Sequence, residues 1–136
     1  MGTLPSGLAE VVEDEEDLAR FLTSSGQFNS VMTKPAAFLP HPEDRETSVF
    51  RHGSEPREAL WRIGIEHVAG SRKLHGAAIV KARYVRSALL EVVASEPPPR
   101  HATVVRWPWL ADPDLQKAQQ KERAALIAQH AELLLV

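Results

Sequence analysis

The stretch that decides the fold runs from Lys34 to Gly70 and reads KPAAFLPHPEDRETSVFRHGSEPREALWRIGIEHVAG. Two apolar runs, Ala36–Leu39 and Thr47–Arg51, flank Pro40-His41-Pro42-Glu43-Asp44-Arg45-Glu46, whose prolines and aspartate suit a turn. That spacing predicts two short strands joined as a hairpin. Beyond them, Ser54 is placed to cap a helix that carries Pro56 in its first turn and runs to Gly70. Leu60, Trp61, Ile65 and Val68 recur at about one helical turn and form its expected buried stripe.

Working toward the N-terminus, Asp14 can cap a short helix whose apolar face is Leu18, Phe21 and Leu22, stopped by Ser24-Ser25-Gly26. Residues 1–13, polar and acidic, read as a disordered tail. Toward the C-terminus, Gly76–Ala82 reads as a strand that is apolar on both faces at Ile79 and Val80. A helical turn or bend over 83–88 leads to a strand at Leu89–Ala94. Pro97-Pro98-Pro99 then reads as a stiff polyproline connector, and Ala102–Trp107 as the last strand. Asp112-Pro113-Asp114 combines cap, first-turn proline and acid, so a helix starts there and is expected to reach about Leu135 with Leu115, Ala118, Ala125 and Leu126 inward. The order predicts a single α+β domain over residues 14–136: a small, mostly antiparallel sheet of about five strands with two to three helices on one face.

The 136 residues are 43% hydrophobic and 25% charged, as in ordinary globular chains. The net charge of −2 argues against general affinity for nucleic acid. The absence of cysteine excludes thiolate chemistry and fits a reducing cytoplasm, and no apolar run approaches a membrane span. The six histidines show no metal-ligand spacing, and no phosphate loop, dinucleotide fingerprint or nucleophile elbow occurs. No metal and no cofactor are therefore expected.

Arg51-His52-Gly53, followed by His75-Gly76, resembles the motifs of the histidine phosphatase superfamily. The resemblance implies a phosphate-accepting His52 beside a phosphate-clamping Arg51. The two motifs lie 23 residues apart, and the acids between them that could serve, Glu55, Glu58 and Glu66, share one helix. A second resemblance covers most of the chain, about residues 18–134, and rests on Lys34–Pro40, Thr47–Arg51 and Pro99–Val104. These segments are similar to a group of small uncharacterised bacterial proteins, which implies a bacterial origin and a self-contained fold but no activity.

Two surfaces invite binding. From Arg62 to Arg106 eight Lys/Arg face three acids, so Lys81, Arg83, Arg86 and Arg106 could form a basic ledge for nucleic acid. The end of the last strand gathers Arg100, His101, Arg106, Trp107 and Trp109, residue types enriched at protein interfaces. The sequence is therefore read as a non-enzymatic binding or adaptor protein working through a protein partner or a second copy of itself. Nucleic-acid binding at the ledge is the first alternative, and phosphoryl transfer at His52 the second.

Overall fold

A computed structural model describes residues 2–53 and 55–136. Ser54, the expected helix cap, lies outside them. The chain is α+β, with one antiparallel sheet in the order β4-β5-β2-β1-β3-β6. The strands are β1 (Asp17–Leu22), β2 (Thr47–Arg51), β3 (Gly76–Lys81), β4 (Glu91–Ala94), β5 (His101–Val105) and β6 (Glu132–Leu135). The helices are α1 (Arg57–Gly64), continued by a π-turn over Ile65–Ala69, α2 (Ala82–Ser87) and α3 (Pro113–Gln129).

Alternate strand residues separate two cores. Leu18, Leu22, Val49, Ala78, Val80, Ala102 and Val104 point to one side, under Val85 of α2 and Ala124, Ile127 and Ala128 of α3. Ala19, Phe21, Phe50, Ala77 and Ile79 point to the other, under Leu60 of α1 and Ala69 of its π-turn. The helices therefore cover both faces, where the sequence reading placed them on one. Ile79 and Val80 are both buried, as a central strand requires.

Three segments depart from the sequence reading in secondary structure. Residues 17–22 are a strand, not a helix, because Leu18, Ala19, Phe21 and Leu22 are buried from both sides, and the i, i+3, i+4 spacing of 18, 21 and 22 is ambiguous over so short a run. Residues Pro35–Ala37 form a 3₁₀ turn whose Phe38 N–H donates to Pro35 O, so the expected hairpin partner of β2 is absent and β2 pairs with β1 and β5 instead. The C-terminal helix stops at Gln129, and the chain returns as β6 along β3. Gly76 makes that return possible, since a Cβ there would lie 2.1 Å from the Leu134 carbonyl oxygen.

Burial also departs from expectation. In α1 and its π-turn Leu60, Gly64 and Ala69 are buried, whereas Ile65 is exposed. In α3 Leu115, Ala118 and Leu126 point outward, and the inner face is Ala124, Ile127 and Ala128. The polyproline connector is instead a closed turn, with Ser95 N–H donating to His101 O and His101 N–H to Pro98 O.

The N-terminal segment packs against the body of the molecule where the sequence suggested a frayed tail. Val12 is buried, Ser6 donates through its N–H and hydroxyl to the Glu96 carboxylate, and Arg51 donates to the carbonyls of Ala9 and Val11.

Candidate functional site

The five residues expected to share one surface are divided by the sheet. Ala102 and Val104 of β5 point toward α3, which sends His101 and Thr103 to the α1 side. There His101 meets Phe50 edge-on at 5.2 Å, and its Nδ1 lies 2.7 Å from the Ser95 hydroxyl. Simple alternation would send Trp107 the same way. Arg106, with φ of +70°, reverses the chain instead, and Trp107 enters the α3-side core at 3% exposure. Trp109 is half-buried against that core with the Arg45 guanidinium 4.6 Å above its ring. Neither tryptophan is an open anchor.

Arg100 is a structural tie. Its Nε and Nη2 donate to the carbonyls of Arg51 and His52, and its N–H to Glu96. Arg106 is exposed and makes no ion pair among the described residues.

The basic ledge is largely neutralised by acids before and at the start of β1 and by Glu91 of β4. Arg86 pairs with Asp14 and Glu91 at 2.6 Å each, Arg83 with Glu15 at 3.1 Å, and Lys81 with Asp17 at 3.4 Å. Partial burial opposes the charge on Glu91, but the Arg86 hydrogen bond and the Val92 N–H outweigh it and hold the carboxyl below its ordinary value.

Arg51 is equally committed. It is 2% exposed, and its Nε and Nη2 grip both oxygens of Glu16 at 2.8 and 2.9 Å while Nη1 reaches Ala9 O. Each of its three nitrogens already has a protein acceptor, so the fork cannot turn to clamp a phosphate. His52 N–H donates to Asp17 O at the start of β1, and His75 N–H to Leu22 O at its end. The two histidines thus sit at opposite ends of a strand, roughly 17 Å apart at about 3.4 Å per residue. The structure does not bring them into one site. Among the described residues, no group of three or more His, Asp or Glu is arranged to hold a metal.

What the fold does assemble is the outer edge of β6. Val136 N–H donates to His75 O, and antiparallel alternation then turns the N–H and C=O of Leu133 and Leu135 away from β3. β6 ends the sheet, so no strand among the described residues pairs with those groups. Leu135 and Val136, the latter 72% exposed, line a cavity of about 230 Å³ together with Phe28, Leu74, Lys73 and His75. Phe28 anchors the turn that carries Val31, 80% exposed, and Met32. Apolar side chains and unpaired backbone therefore lie together.

Comparison with protein-family models, curated proteins and solved structures finds no match to this chain.

The β6 edge was invisible to sequence reading. Ala131-Glu132-Leu133-Leu134-Leu135 has strong helix propensity, and no glycine or proline separates it from α3. By contrast, β4 at the other end of the sheet carries a visible guard: Glu91 accepts the N–H of Val92 through its own carboxylate. No helix among the described residues is long and apolar enough to cross a membrane.

Proposed function

We propose that this protein works by binding, through pairing of the β6 edge with a second copy of itself. The observation that carries the reading is the open edge at Leu133 and Leu135, bordered by Val136 and Phe28. An unguarded apolar edge is a template for another strand, and main-chain hydrogen bonds supply affinity while alternate side chains supply register. A second copy fits because an antiparallel edge is self-complementary about a two-fold axis. Glu132 is the only charge in the strand, and nothing in it repels an identical run of leucines.

Sedimentation analysis over a concentration series tests this. The wild type is expected to dimerise, and Leu135→Lys, at an exposed position, to remain monomeric with an unchanged far-UV spectrum and melting temperature. A wild type that stays monomeric throughout, or a Leu135→Lys variant that dimerises equally, refutes the reading.

A further inference from the structure

The sheet has a split. β1 pairs with β3 along its whole length, from Asp17–Lys81 to Leu22–Gly76, but with β2 only at Leu18–Arg51 and Ala19–Phe50. Beyond Ala19 the two strands part, and the Arg20 side chain spans the gap. Its Nε donates to Ala37 O at 2.7 Å and its Nη1 to Ser48 O at 3.0 Å. Arg20 is half-buried, yet no carboxylate pairs with it among the described residues.

The split opens into a cleft of about 400 Å³, walled by Arg20, Arg72, Gln27, Phe50, His67 and His101 among others. Arg72 is held from the far side: its Nε and Nη2 donate to the carbonyls of Ala69 and Val68 at the end of the π-turn. Both guanidiniums are thus aimed by backbone carbonyls, and each keeps one terminal nitrogen without a protein partner among the described residues. Gln27 adds a donor. Its side-chain oxygen accepts from the N–H groups of Thr23 and Ser24, which leaves its NH₂ unspent.

The remaining wall is aromatic. The His67 ring lies against Phe50 at 6.4 Å and near-parallel, and His101 meets the same ring edge-on. No Asp or Glu is among the residues lining the cleft; Asp44 and Glu46 line an adjoining cavity with Arg20, and Glu66 stands 3.9 Å from His67.

We propose that this cleft binds a small organic anion, with its phosphate or carboxylate group on Arg20, Arg72 and Gln27 and a flat body against Phe50, His67 and His101. Guanidinium forks suit planar or tetrahedral oxyanions, and two of them around one cavity without an acid are mutually repelled until an anion enters. Consistent with that, burial first and the charge of Arg72 second hold the Arg20 guanidinium below its ordinary value. The volume is that of a small-molecule site. The proposal does not depend on self-association, because it uses a different part of the sheet.

The test is calorimetry on the full chain with inorganic phosphate, benzoate, AMP and, as the uncharged control, adenosine. At least one anion is expected to bind with a dissociation constant below about 1 mM, and adenosine to bind at least tenfold more weakly than AMP if phosphate is the group recognised. Benzoate binding without phosphate or AMP binding would assign the group as a carboxylate. Arg72→Gln, at an exposed position, should lose at least tenfold in affinity for the anion that binds. Should that variant fold poorly, amide shifts of the wild type on titration give a second readout and should centre on Arg20, Gln27 and Arg72. No binding by any anion, equal binding of adenosine and AMP, unchanged affinity in Arg72→Gln, or shifts centred elsewhere would each overturn the proposal.

Discussion

Arg51 shows how a residue type can mislead when its partners are distant in sequence. A guanidinium beside a histidine suggests oxyanion chemistry, but the fold closes the N-terminal segment over it and gives it Glu16 instead. Arg51→Ala would leave the Glu16 carboxylate with only the Glu13 N–H as donor and remove the donor to the Ala9 carbonyl, at a cost of about 3 kcal/mol in chemical denaturation. Arg51→Lys should recover little of it, since an ammonium cannot span both carboxylate oxygens and a carbonyl. A substitution that left stability unchanged would free Arg51 for another role. Arg20 is the opposite case. Its segment has the apolar spacing of a helix but folds as β1, and only the parting of β1 from β2 gives its charge a meaning.

At the scale of elements, α3 tests which apolar residues matter. Its apolar side chains are spread around the helix, so periodicity alone does not choose a face and points to Leu115 and Leu126 rather than Ile127. Ile127 is fully buried, and Ile127→Ala should cost about 2–5 kcal/mol, whereas Leu126→Ala should change stability by no more than about 0.5 kcal/mol. Equal losses in urea titrations of the two variants would contradict the packing described. Capping was more legible than facing. Asp112 accepts from the N–H groups of Asp114 and Leu115, as Asp-Pro-Asp predicted, because a cap is satisfied by its immediate neighbours. The end of α3 had no such local signature, and β6 was lost with it.

For the whole molecule, the closure of the N-terminal segment has a pH signature. Glu16, Glu91 and Glu96 are each pushed upward by burial but pulled further down by Arg51, Arg86 and the Ser6 donors respectively, ending below the ordinary value near 4.5. A depressed carboxyl binds its proton more readily in the unfolded chain. The stability it contributes is therefore complete above about pH 4.5 and is lost as the pH falls through the lower folded value. Denaturation midpoints should be flat on this account from neutrality to about pH 5 and fall below it, and Glu16→Gln should shallow that fall. A midpoint that rose on acidification would contradict the sign.

What the sequence by itself determined were the elements whose signals are local: β2, β3, β4 and β5 to within a few residues, the turn after β3, the start of α3, and the α+β class they imply. Only the tertiary structure decided the rest. Residues 17–22 are a strand because layers on both sides bury them, and Glu132–Leu135 are a strand because β3 offers an edge that Gly76 leaves open. Trp107 is core because one left-handed residue at Arg106 turns it over, which divides the surface its neighbours seemed to share. The physical reason is common to all of these. Helix caps, turns and periodicity are satisfied within a few residues of the chain, whereas a strand's hydrogen bonds and a side chain's burial are supplied by segments far away in sequence.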